Sequence, residues 1–395
     1  MTRPTGDVGA GVLLAGSGLG LGADARAALG QALDGALAPL RGEAPDLVLL
    51  FASPAYAETY AQLLSEAARR SGARHIVGCS ASAVIEGQRE VEDRAAISAM
   101  AVRLPTGSLL SVRHMTSDEV ADTSAVDMSA ADCKGVLVLA DPFSTDVAEL
   151  VAALERDHPG VPIMGGLATG DSSVRETFLF CDERVLSEGA VVVGLGGAAC
   201  VRPVVSQGCE PIGEPWTITA AERNIVKTIG GRPAYQVLVD TVQRLDRDKQ
   251  QRVNGNLLVG LAMDEYRDEF KRGDFLIRNL MGVDQSTGAI AIAALAQVGQ
   301  TIQFQIRDAR AADEELRAML NAVSDAPAGA ALLFACNGRG VGLFGAPDHD
   351  ARTVRELLGP LPLAGLFCNG EIGPVGKRTF VHGFTASLAL IAAAD

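Results

Sequence analysis

Apolar and polar positions follow one grammar three times along the chain. Leu47–Ala52 is an unbroken apolar run, Ser53-Pro54 a small-residue turn, and 55–70 sets Tyr60, Leu63, Leu64 and Ala67 at helical spacing. A second apolar run then ends in Gly78-Cys79-Ser80. The pattern recurs at 135–143, with a helix over 146–157 (Val147, Leu150, Val151, Leu154) and a closing run at 161–170. It recurs again at 331–340, with a helix over 350–358 and a closing run at 363–374. Aligned on Ala52, Ala140 and Ala335, the units make Gly78, Gly165 and Cys368 equivalent, the third being longer by an insertion at 340–350. Further strand-like stretches follow at 95–104, 185–196 and 379–391, so each unit reads as β-α-β plus a strand. A weak fourth copy at 256–265 lacks its helix, and the short alternating runs of 275–308 read as a β-meander.

These elements predict an α/β fold in which repeated β-α-β-β units form mixed sheets flanked by helices, in two related halves, 1–228 and 229–395, divided near 225–233. A right-handed crossover in each unit puts its two small-residue turns at the carboxyl ends of neighbouring parallel strands, where ligands bind in open α/β sheets. Composition narrows the classes. Apolar residues at 48 % and charged residues at 21 % mark a chain with a sizeable core. The 34 Lys and Arg against 48 Asp and Glu leave a net charge of −14, with no basic run, which excludes general nucleic-acid and anionic-membrane binding. Seven cysteines without a C-x-x-C pair, behind an N-terminus that makes a poor signal peptide, read as reduced thiols in a cytoplasmic protein. The apolar runs are shorter than the ~18 residues of a membrane span.

Several motifs resolve to bland readings. Gly18-Leu-Gly20-Leu-Gly22 partly fits a dinucleotide fingerprint, but the next strand ends in Phe51-Ala-Ser-Pro54 without the ribose-binding acid, and a helix entry explains it. The five histidines lack zinc-site spacing. The turns closing the units carry more. Gly78-Cys79-Ser80, the run 165–170 with Gly165 and Gly166, and the run 369–373 that follows Cys368 and opens with Asn369 combine glycine with small polar groups, and glycine permits close approach of backbone to a ligand. Arg339 offers a two-pronged grip on a carboxylate, Glu371 an acceptor for an ammonium, and Asn337 and Asn369 groups that donate or accept. Together they match the two charged ends of a free amino acid; an Arg339–Glu371 ion pair bracing two loops is the competing expectation. Cys336 and Cys368 leave open a thiol-dependent hydrolase, which needs a thiolate beside a base. His382, on an apolar strand, is either a core histidine or a ligand for haem iron.

The order of these motifs resembles the FIST family of sensory input domains. The residues that carry the resemblance are Gly78-Cys-Ser80, 165–171, 208–213, 275–279 with 282–284, 333–340, 365–374 and 382–386. It spans nearly the whole chain, as an N-terminal FIST half followed by a C-terminal one. The resemblance implies a non-catalytic sensor that binds small ligands such as amino acids and needs no cofactor. One bacterial branch implies the alternative of a haem-binding nitric oxide sensor that regulates a histidine kinase. No F-box, kinase, cyclase or chemotaxis segment is recognised here, so output is expected to pass to a separate signalling protein.

Overall fold

A computed structural model describes residues 11–120, 126–171, 174–267 and 269–394. The first ten residues, on which the reading of the N-terminus rests, lie outside that range. The chain forms two compact units, one of 1–205, 319–381 and 386–395, the other of 206–318 and 382–385.

Three repeats build the first unit. The first runs β1 (Leu14–Leu21), α1 (Ala25–Leu37), β2 (Leu47–Ala52), α2 (Tyr60–Ser71), β3 (His75–Ser80), a hairpin β4 (Val84–Glu86) and β5 (Arg89–Val91), then β6 (Ala96–Arg103). The second is β7 (Ser108–Met115), β8 (Cys133–Ala140), α3 (Val147–Asp157), β9 (Ile163–Leu167), a hairpin β10 (Leu179–Cys181) and β11 (Arg184–Leu186), then β12 (Ala190–Gly197). The third opens with β13 (Ala199–Ser206), and its remaining strands return after residue 318. Local chemistry sets the helix ends. Asp24 and Asp146 cap α1 and α3 by accepting backbone N–H groups, and α2 stops at Gly72 in a left-handed conformation.

The second unit is a small antiparallel barrel. Its elements are β14 (Glu210–Glu222), β15 (Ile225–Ile229), β16 (Arg232–Pro233), α4 (Ala234–Gln243), α5 (Arg247–Arg252), β17 (Leu257–Ala262), β18 (Phe275–Asp284), β19 (Ala289–Ile292), β20 (Thr301–Ile306) and the start of α6 (Ala309–Asn321). Strand order is β14-β20-β17-β18-β19-β15-β16, and β14 pairs again with β15, so six strands close on themselves. Closure leaves no open edge between those strands. Ile212, Ile218, Val226, Val259, Ile290 and Phe304 fill the interior with Val237 and Leu238 of α4. Two expectations change here. The stretch 256–265 holds the antiparallel barrel strand β17, not a fourth β-α-β copy, and β20 pairs with β17 and β14 rather than continuing a meander after β19.

The third repeat then completes itself with β21 (Ala330–Cys336), α7 (Gly340–Phe344), α8 (His349–Leu358), β22 (Leu363–Cys368), a hairpin β23 (Glu371–Val375) and β24 (Arg378–His382), and β25 (Ala386–Ala393). The three sheets of the first unit share one strand order: β1-β6-β2-β3-β10-β11, β7-β12-β8-β9-β23-β24 and β13-β25-β21-β22-β4-β5. In each, four strands come from one repeat and the outer hairpin from another, so the hairpins are exchanged in a ring. The pair joined across a helix is parallel in every repeat, as the crossover argument requires. One core holds residues of all three sheets, among them Leu49, Phe51, Val77, Leu137, Met164, Leu332, Phe334 and Leu366. On the other face of the first sheet, Leu29 and Leu33 of α1 and Leu63 and Leu64 of α2 pack against Val48 and Leu50. Burial on both faces is why these strands read as continuous apolar runs.

Candidate functional site

Register identifies the equivalent positions of the three repeats. Opposite Leu50, Val138 and Leu333 stand Gly78, Gly165 and Gly365. A Cβ on any of the three would overlap the carbonyl oxygen of the residue opposite, so the close approach of the two strands demands glycine. Gly365, not Cys368, is therefore the counterpart of Gly78 and Gly165; the insertion in the third repeat hid the true spacing. Two residues further, the N–H groups of Ser80, Leu167 and Phe367 donate to Phe178 O (2.8 Å), Gly370 O (2.9 Å) and Ala83 O (3.0 Å), each beside an exchanged hairpin.

Two residues beyond those come Ser82, Thr169 and Asn369, one from each repeat. Thr169, 1 % exposed, anchors the group: its hydroxyl donates to Phe367 O (2.9 Å) and accepts from Ser82 N (2.8 Å). Ser82 Oγ lies 3.2 Å from Thr169 Oγ1 and 3.3 Å from Asn337 Oδ1. Asn337 Nδ2 donates to Asn369 Oδ1 (2.8 Å), and Asn337 N donates to Cys368 O (3.0 Å). Ser82, Asn337 and Asn369 are exposed. The strand ends of three repeats thus meet in a hydrogen-bonded cluster made of hydroxyls and amides alone.

Of the residues picked out from the sequence, Asn337 and Asn369 belong to this cluster. Gly78, Gly165 and Gly166 are structural. A side chain at Gly166 would run into Cys368 Sγ and Phe334. Ser80 is fully buried, with Oγ accepting from Phe178 N at 2.9 Å. Cys79 and Cys368 are core thiols. Burial pushes both up, and at Cys368 the nearby Glu371 charge adds to the effect. A nucleophile requires the opposite shift. Cys336, at the end of β21, is half-buried. Glu371 is fully buried, its backbone paired with Gly166 on β9. Ser82 and Thr169 were missed. Counting two residues past each closing strand end would have found both.

Arg339 is elsewhere. Its guanidinium is 0 % exposed and grips Asp350 with two hydrogen bonds, Nε to Oδ2 at 2.5 Å and Nη2 to Oδ1 at 2.9 Å, with the Phe344 ring 5.4 Å away. Burial raises the Asp350 carboxyl, but the Arg339 charge and hydrogen bonds outweigh it and hold the group at about 2. The arginine's charge is therefore balanced by a buried carboxylate of its own chain, Asp350. His382, 4 % exposed, ends β24 and belongs with the second compact unit.

Comparison with known families is decisive. The FIST N domain matches residues 46–232 and the FIST C domain residues 234–374. The chain belongs to the FIST family. FIST domains are associated with sensing and signal transduction, and no helix among the described residues is long and apolar enough to cross a membrane. Within the family, this FIST protein is 42 % identical over 377 residues to an uncharacterized protein of Mycobacterium bovis, covering 93 % of this chain and 96 % of that one. It is 39 % identical over 383 residues to an uncharacterized protein of Mycobacterium tuberculosis, covering 95 % and 98 %. Among solved structures, a cyanuric acid hydrolase from A. caulinodans aligns with 97 % of this chain and 99 % of its own, at 9 % identity and a TM-score of 0.30.

Proposed function

We propose that this FIST protein is a non-catalytic sensor that holds a small polar ligand at the Ser82–Thr169–Asn337–Asn369 cluster and passes the signal to a separate protein. The convergence of three strand ends on uncharged donors and acceptors, with Ser82, Asn337 and Asn369 exposed around the buried Thr169, carries the reading. An amide offers two N–H groups and a carbonyl, so Asn337 and Asn369 keep bonding capacity beyond their mutual contact. With Arg339 committed to Asp350, a free amino acid would be held through its carboxylate by amide and hydroxyl donors, not by a guanidinium. Sensing then works by differential affinity for two conformations of the protein. The buried, protonated Cys368 thiol weighs against a thiol hydrolase.

The test is a thermal-shift panel of free amino acids and their amides, run on wild type and on Asn337→Ala/Asn369→Ala. Both positions are exposed, so the variant should melt within a degree or two of wild type. A ligand at about 100 times its Kd adds roughly 2.7 kcal/mol. A selective shift in wild type that disappears in the variant supports the site. An undiminished shift in the variant moves the ligand elsewhere, and silence across the panel removes both chemical classes.

A further inference from the structure

A cavity in the first unit has different chemistry from the strand-end cluster. It has a volume of about 400 Å³ and lies between 89–94, the β5 strand and its exit, and the α7–α8 segment. Val91, Val341 and Pro347 supply apolar wall, and Glu90, Glu92 and Asp348 supply carboxylates. Asp93 and Arg94 also line it but bond to each other, at 3.0 and 3.2 Å, and Arg89 stands exposed at the rim.

The carboxylates are unequally satisfied. Asp348 accepts from Glu90 N (2.8 Å) and from Arg352 Nη2 (3.0 Å). Glu92 Oε1 accepts from Val341 N at 3.0 Å. Glu90 is 6 % exposed; its Oε1 accepts from Ala351 N at 2.9 Å, but its Oε2 is buried with no hydrogen-bond partner. A buried carboxylate oxygen without a partner costs free energy that a donor in the cavity would recover. The nearby Arg339 guanidinium is paired with both oxygens of Asp350.

We propose that this cavity binds a small primary amine in its ammonium form, with the Glu90 carboxylate as anchor, Glu92 as second acceptor and the aliphatic wall against the carbon chain. An ammonium brings three donors and a full charge to a lining with more acids than bases. Among the described residues no three His, Cys, Asp or Glu are placed to hold a metal ion, which favours an organic cation. The proposal concerns a site separate from the strand-end cluster and stands apart from the reading of that cluster.

The full-length protein is titrated calorimetrically with 1,4-diaminobutane and with n-butylammonium, at pH 8.5 and ionic strength matched by NaCl. Saturable binding at one site per chain is expected. Glu90→Gln should weaken it by about 10- to 100-fold, the loss of one charge-assisted hydrogen bond, while melting no lower than wild type. Asn337→Ala/Asn369→Ala should bind the amine as wild type does, which separates this site from the other. Absence of saturable heat with both amines, or equal affinity in Glu90→Gln, overturns the proposal. Should Glu90→Gln fail to fold, Val341→Trp serves in its place: the side chain is 45 % exposed at the rim and its enlargement should block the amine. Undiminished binding there also overturns it.

Discussion

Replacing Arg339 by alanine should unfold the protein more readily rather than blind it to its ligand. Two hydrogen bonds of 2.5 and 2.9 Å join its guanidinium to Asp350, and the two side chains are 0 % and 1 % exposed. After the substitution Asp350 keeps the His349 ring nitrogen at 2.9 Å, but the guanidinium that held its carboxyl at about 2 is gone. Breaking a buried pair from one side costs about 3–5 kcal/mol, because the remaining charge is left uncompensated. At roughly 1–2 °C per kcal/mol for a chain of this size, the melting temperature should fall by roughly 3–10 °C. Circular dichroism during urea and thermal unfolding measures this. The double substitution Arg339→Met/Asp350→Leu removes both charges together and should recover most of the loss. A loss below about 1 kcal/mol in the single variant, or a double variant no better than the single one, would refute the assignment of Arg339 to a buried structural pair.

Two further outcomes follow from the same geometry. Gly365→Ala places a Cβ against Leu333 O, inside the close strand approach that Gly78 and Gly165 repeat, and should lower stability by several kcal/mol or abolish folding, as judged by soluble yield and urea midpoint. Burial, then the charges of Asp350 and Glu92, raises the Glu90 carboxyl to about 8. The native state then keeps a proton that the unfolded chain, with a pKa of about 4.3, has lost, so stability should fall as pH rises from about 4.5 to 8 and level off above. Urea midpoints across that range should show the slope in wild type and lose it in Glu90→Gln; an unchanged slope counts against Glu90 as its source.

The repeat was legible because strands buried on both faces must be apolar throughout, and three such pairs with intervening helices leave a long-range echo. The exchange of hairpins was not. Val84–Val91, Leu179–Leu186 and Glu371–His382 are short, and nothing local says which sheet a hairpin joins; that choice is made by the shared core. Closure of the barrel was equally hidden, since β14 bends to pair with both β20 and β15 through irregularities at Ile212–Trp216 and Ile218–Ala221. At the site, Asn337 and Asn369 could be picked out because they stand at strand ends. Arg339 misled, because its partner Asp350 lies inside the insertion that also displaced the alignment of Gly365. A charge is read from sequence at once; its neutralising partner is known only after folding.

The ring of exchanged hairpins also orders the events of synthesis. The sheet begun by β1 is complete once Leu186 has left the ribosome. The sheet that shelters the early hairpin β4–β5 needs β25, and the one begun by β7 needs β24. At about 5–20 residues per second, the early hairpin, finished at Val91, waits roughly 15–60 s for the sheet that Ala393 completes. During that interval Val84, Ile85 and Val91, all buried at the end, have no sheet to join. A nascent chain stalled before its last strand is therefore a natural client for a holding chaperone, and a C-terminal truncation by a few dozen residues dismantles sheets whose other strands were made first.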